Sequence, residues 1–223
     1  ACSVCLSGFI AMAQSAEELI NTVKNKFTRV MDYEAKGIMK TNVSFLKTPL
    51  ANVLVYYKKP DKLRITNENG ISFIPKGSVN INPGVIFYGT SGFDIIDAGI
   101  EDKTNLRIIK LLPKDDYSDI VLSTLYIDEK NKLIKKVKTT TKENGSYELE
   151  MSYGKYEEYG LADKVIFTFN ISEYKLPKGI TFDYDDGSRK SNTSNRSNKE
   201  TGRVEITYKE YKINKGIADS VFK

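Results

Sequence analysis

Residues 119–156 read DIVLSTLYIDEKNKLIKKVKTTTKENGSYELEMSYGKY. Runs rich in Ile, Val, Leu, Thr and Tyr at 119–128, 132–141 and 146–156 are separated by short polar turns. One turn carries Asn144-Gly145, a dipeptide suited to tight hairpins because both residues accept positive φ. In the third run Tyr147, Leu149, Met151 and Tyr153 alternate with Glu148, Glu150 and Ser152. A period of two with one apolar and one polar side predicts successive antiparallel strands in a sheet with one solvated face.

The pattern extends in both directions. LRIIKLLP (106–113), KVIFTFNI (164–171) and a last run from Arg203 to Lys212 read as further strands. Near the start, Ala35, Gly37, Met39, Thr41, Val43 and Phe45 form one face of a strand, with Glu34, Lys36, Ile38, Lys40, Asn42 and Ser44 on the other. Asn52 to Tyr57 is apolar on both faces, turns at Lys59-Pro60-Asp61 and returns through Leu63 and Ile65. Asn69-Gly70 marks another tight turn. Ahead of these strands, Ser15 and Glu18 form a capping box, and Leu19, Ile20, Val23, Phe27, Val30 and Met31 recur at helical spacing up to Asp32.

The sum is about ten strands in meander order behind one amphipathic helix, without strand-helix alternation. The fold class this predicts is α+β, mainly β. A sheet so long and twisted curls or closes rather than staying flat. Its concave apolar face needs a cover, supplied by the N-terminal helix and by residues 70–92.

Composition sets the outer limits. At 223 residues, 40% hydrophobic and 28% charged, the chain suits one domain with a sizeable core. Fourteen tyrosines and ten phenylalanines favour strands. The net charge of +5 comes from interspersed acids and bases, which gives little support to nucleic-acid binding. There is no histidine, so zinc sites and catalytic triads in their usual forms are excluded.

Both cysteines, Cys2 and Cys5, lie in the opening stretch ACSVCLSGFIAMA, which ends in the small-x-small pattern Ala11-Met12-Ala13. Residues 1–13 are expected to be a truncated secretory signal, with 14–223 a single exported, soluble, periplasmic domain. A membrane anchor fits less well, because thirteen helical residues span only about 20 Å of a roughly 30 Å hydrocarbon core. The residues before Cys5 do not suit a lipid-modified cysteine.

Catalytic motifs are lacking. Neither a phosphate-binding G-x-x-x-x-G-K-S/T nor a G-x-S-x-G nucleophile elbow is present. TFDYDDG (181–187) has a glycine where a calcium loop needs a ligand. Glu157-Glu158 and Asp115-Asp116 read as solvated turn residues. A non-enzymatic, cofactor-free, monomeric protein is expected. SRKSNTSNRSNKETGR (188–203) lacks apolar residues and reads as a mobile loop insertion, either solubilising or weakly attractive to an acidic partner.

GISFIPKGSVNINPGVIFYGTSG (70–92) carries one charge, Lys76, and fits neither period. Two readings stand: a buried irregular connection, or a movable lid hinged at Gly77, Gly84 and Gly89 with Ile86, Phe87 and Tyr88 plugging a cavity. The basic cluster Lys58, Lys59, Lys62 and Arg64 is either a solvated hairpin tip or the rim of a pocket.

The helix behind a signal, the hairpin VLVYYKKPDKLRI (53–65), the late hairpin LYIDEKNKLIKKV (125–137) and the closing GRVEITYKEYKINKGIADSVFK (202–223) together resemble the LolA/LolB-like superfamily of outer-membrane lipoprotein carriers. The resemblance covers residues 16–223 and implies an incomplete barrel that holds lipoprotein acyl chains beneath a helical lid. It implies an inner-membrane exporter as donor and an outer-membrane acceptor. An arginine before the hairpin proline helps to hold the lid in such carriers; Lys59 stands there in this chain, keeping the charge without the planar fork. The stretch at 70–92 replaces a familiar aspartate-glycine segment and marks a divergent branch.

Candidate cavity and lid residues are Met39, Val43, Phe45, Val53, Val55, Tyr57, Ile74, Ile86, Phe87 and Tyr88, with Lys59 and Arg64 at the rim. The function expected is carriage of lipoprotein acyl chains, or of a related lipid, toward the outer membrane. A non-transport lipid-sensing or protein-interaction module on the same scaffold is the alternative.

Overall fold

The computed structural model describes residues 14–42, 50–67, 92–143, 145–170 and 201–222. Helix α1 (Ala16–Thr28) begins as the sequence predicts, with the Ser15 hydroxyl accepting from the Glu18 amide at 3.1 Å. It stops at Thr28, one turn short of the expected end, because the chain there is taken over by contacts to distant segments described below.

The strands are β1 (Asp32–Asn42), β2 (Leu50–Lys58), β3 (Lys62–Asn67), β4 (Phe93–Glu101), β5 (Leu106–Pro113), β6 (Ile120–Asp128), β7 (Leu133–Thr141), β8 (Ser146–Ser152), β9 (Lys164–Asn170) and β10 (Thr201–Ile213). All ten form one antiparallel sheet in the order β3-β2-β1-β10-β9-β8-β7-β6-β5-β4. The meander is therefore rotated: β10 closes back on β1, and the ends of the open sheet are β3 and β4, which follow one another in sequence. Residues 68–91 link these two free edges.

Two strands differ from the sequence reading. The strand β4 was not evident, because FDIIDAGIE is mostly exposed at an edge and has no clean alternation. The start of β10, Thr201–Arg203, lies inside the predicted loop 188–203 and pairs with β9. The rest of that loop, the 181–187 segment, the expected signal 1–13 and residues 70–91 of the 70–92 stretch lie outside the described residues.

The pairing slips between Lys36 and Gly37, between Asp97 and Ile100, and at two places in β6 against β7. Each such bulge adds local twist and bends the strand, and four of them spread over ten strands account for the curl. Tyr33, Ala35, Met39 and Thr41 of β1 are buried while Lys36 and Lys40 are exposed, as the period-two reading predicts. On the outer face, Lys136 bridges Glu148 and Glu150 at 3.2 and 3.3 Å, and Lys138 reaches Glu148 at 3.3 Å. These half-exposed pairs keep that face wet and add little stability. Among the described residues no helix is long and apolar enough to cross a membrane.

Candidate functional site

The inner face is mainly apolar. Register places Val53 beside Gly37, Val55 beside Ala35 and Tyr57 beside Tyr33, so inward residues of β1 and β2 form one surface. Of the predicted lining residues, Met39, Val53, Val55 and Tyr57 belong to it, each 3% exposed or less. The surface continues through Ile206, Phe167, Leu149, Val137, Leu125 and Ile109 to the far strands. Leu19, Ile20, Val23 and Phe27 of α1 belong to the same cluster, so the helix covers this face as its amphipathic spacing requires. Val43, Phe45, Ile74, Ile86, Phe87 and Tyr88 lie outside the described residues.

A layer of tyrosines crosses this face at the hairpin end. Tyr33 stacks on Tyr57 with centroids 5.2 Å apart and meets Tyr211 edge-on at 5.2 Å; Tyr208 and Tyr156 flank Tyr211 at 5.0 and 4.9 Å. Buried hydroxyls need partners. The Tyr57 hydroxyl donates to the Pro60 carbonyl at 3.3 Å, Tyr211 to the Ala162 carbonyl at 2.7 Å and Tyr153 to the Ile134 carbonyl at 2.7 Å. Farther along, the fully buried Ser123 and Thr139 hydroxyls pair at 3.0 Å. Burial pushes the Tyr33, Tyr208 and Tyr211 phenols above the ordinary tyrosine value, so they remain neutral.

The basic hairpin is engaged within the chain. The Lys59 ammonium donates to the Thr28 carbonyl oxygen, the last of α1, while the Lys59 amide donates to the Met31 carbonyl at 2.9 Å. Burial lowers the Lys59 pKa from the usual lysine value. Lys58 and Lys62 both reach Asp219, at 2.8 and 3.1 Å, and Lys58 also donates to the Ile217 carbonyl at 2.9 Å. Arg64 donates to the Val221 carbonyl at 2.6 Å. This bond fastens the C-terminal segment to β3.

The start of that segment is tied to α1 and β1. The Asn214 carboxamide accepts from the Met31 amide at 2.7 Å and donates to the Arg29 carbonyl at 2.8 Å. Asp32 accepts from the amides of Lys215 and Gly216 at 3.0 and 3.1 Å. One junction thus joins the end of α1, the start of β1, the β2-β3 hairpin and residues 214–222. The sequence signal was the closing NKGIADSVF, noticed as part of a resemblance; its physical role became legible only once its partners, some 180 residues earlier, were in place.

Among the described residues no group of three or more carboxylates or cysteines could hold a metal. No family model matches the sequence. No curated protein matches it either. Solved structures do. An outer membrane lipoprotein-sorting protein domain from Vibrio parahaemolyticus aligns with TM-score 0.53 at 11% identity, over 93% of this chain and 97% of that one. A LolA superfamily protein from Nitrosomonas europaea aligns with TM-score 0.55 at 11% identity, over 95% and 98%.

The fold is that of the LolA superfamily.

On this LolA-type scaffold the hairpin position before the proline is Lys59, and its contact is with the end of α1. A single ammonium replaces the five-donor fork that arginine would offer, and the helix carbonyl it meets accepts from a point charge as well as from a fork.

Proposed function

We propose that the protein binds the acyl chains of a lipoprotein, or of a related lipid, against the inner face of the open sheet and carries them toward the outer membrane. One observation carries the reading: the sheet is open between β3 and β4, its inner face is mainly apolar, and one amphipathic helix lies on that face. Residues 70–92, in the stretch that links the free edges, serve in this reading as the lid, with Ile74, Ile86, Phe87 and Tyr88 over the acyl chains and Met39, Val43, Phe45, Val53, Val55 and Tyr57 beneath them. The likeness of fold to a lipoprotein-sorting domain supports it.

Burying an acyl chain is worth about 0.8 kcal/mol per CH₂ group, so a carrier needs a cover that yields when cargo is handed on. The domain 14–223 works as a periplasmic monomer, without cofactor and without catalysis. It takes cargo from an inner-membrane exporter and gives it to an outer-membrane acceptor. Lys58, Lys62 and Arg64 of the basic hairpin are turned to the chain's own C-terminal segment.

Transfer between vesicles tests the reading. Purified protein should withdraw a fluorescent acylated lipopeptide from donor vesicles and deposit it in acceptor vesicles at a rate proportional to protein concentration. A rate equal to the protein-free control sinks the proposal.

A further inference from the structure

The buried tyrosines of the inner face fall into two classes. Tyr57, Tyr153 and Tyr211 each give their hydroxyl to a backbone carbonyl. Tyr33 and Tyr208, 3% and 8% exposed, have rings packed in the same layer, and among the described residues neither hydroxyl has a hydrogen-bond partner. Phenylalanine would fill the same space without the cost of burying an unpaired donor, so a hydroxyl kept there is expected to serve something.

The two lie on neighbouring strands. Tyr208 stands opposite Gly37 in the β1-β10 register, and Tyr33 is four residues earlier on the same inward face of β1. Both rings contact Tyr211, with centroids 5.2 and 5.0 Å away. The two side chains therefore belong to one ring cluster, on the buried face that also holds Val53, Val55 and Met39.

We propose that the Tyr33 and Tyr208 hydroxyls are a donor pair for the ester or amide carbonyl of an acyl chain held on the inner face. The inference rests on the lipid-carrying reading and sharpens it to a class of cargo. Two neutral phenols offer hydrogen bonds and no positive charge, and no described cation lies against either ring. The Tyr208 amide donates to the Asp163 carbonyl at 2.7 Å, and the acidic side chain of that residue would repel an anion. A free fatty acid would bury a carboxylate with no counter-charge beside it, whereas an esterified or amide-linked chain brings a neutral acceptor. Such a carbonyl is offered both by the acylated cysteine of a lipoprotein and by a glycerolipid.

Displacement of an environment-sensitive apolar dye from the full chain tests this with four probes: a diacylglyceryl-cysteine peptide, dioleoylglycerol, oleic acid and the hydrocarbon heptadecene. At about 1 kcal/mol for each hydroxyl, the two ester probes should lose roughly 30-fold in affinity in the Tyr33→Phe/Tyr208→Phe double variant, with heptadecene unchanged. The preference of the wild type for esters over oleic acid at neutral pH should shrink in parallel. Whichever ester probe binds more tightly names the source of the carbonyl. Equal ester affinity in wild type and double variant overturns the donor pair while leaving carriage intact. Failure of all four probes to displace the dye overturns carriage and the pair together. The Phe variants keep every ring contact, so their melting temperature should equal or exceed the wild-type value; a lower value with unchanged heptadecene binding assigns the hydroxyls to folding and also overturns the pair.

Discussion

The Lys59 ammonium donates to the Thr28 carbonyl oxygen, joining the tip of the β2-β3 hairpin to the last residue of α1. The contact places a positive charge at the negative end of the helix dipole and fixes where the covering helix ends over the inner face.

Replacing Lys59 by Ala should cost about 1 kcal/mol and release the last turn of α1, because both the charge and the donor are removed. Lys59→Arg should retain the contact. Amide exchange across residues 24–31 checks both: faster exchange in the Ala variant alone is expected, and equal exchange in all three proteins would show that the contact does not hold the helix.

The clasp on the C-terminal segment should respond to acid. Hydrogen bonds from Lys58 and Lys62 hold the Asp219 carboxyl down at about 2. Its folded pKa lies below the unfolded value near 4, so its contribution is whole above about pH 4 and is lost as pH falls through about 2. Asp219 is exposed, so salt should weaken the clasp as well. Proteolysis confined to residues 214–222 should rise over that pH window in the wild type and stay high at every pH in Asp219→Asn. A pH-independent wild type would refute the clasp.

Asn214 combines a positive φ of 55° with the two carboxamide bonds to Met31 and Arg29. Asn214→Ala loses both bonds and strains the backbone, for an expected cost of about 2–3 kcal/mol. Asn214→Gly relieves only the strain and should fall between Ala and wild type in thermal melting. Equal stability of all three would mean that the junction carries no load.

Gly160 ends the short 3-10 turn Glu157–Tyr159 with φ 68°, and a Cβ there would come within 3.0 Å of the Phe27 ring. Gly160→Ala is expected to destabilise by about 1–3 kcal/mol and to shift α1 on its seat, because strain and steric contact act together. Near-wild-type denaturant midpoints would contradict this.

Much of the sheet was legible because one face is wet and the other dry: β5 to β9 and the odd-numbered positions of β1 follow from period two alone. The strand β4 was hidden because an edge strand with Ile96 and Ile100 exposed has no dry face to mark it. The closure of β10 on β1 was hidden for a different reason. Pairing of Ile206 with Met39 joins residues far apart in sequence, and alternation within a strand says nothing about its partner. At the site, Met39, Val53, Val55 and Tyr57 were readable as inward residues. Tyr33 and Tyr208 were not, since a buried tyrosine looks the same in sequence whether or not its hydroxyl is paired.

The central claim is that the inner face holds acyl chains, and native mass spectrometry of protein purified from an exporting host tests it most directly. The account predicts a bound species with the mass of an acylated lipid or lipopeptide, lost on Phe87→Asp, which puts a charge into the segment read as the lid. A lipid-free protein at every stage of a detergent-free purification would contradict it.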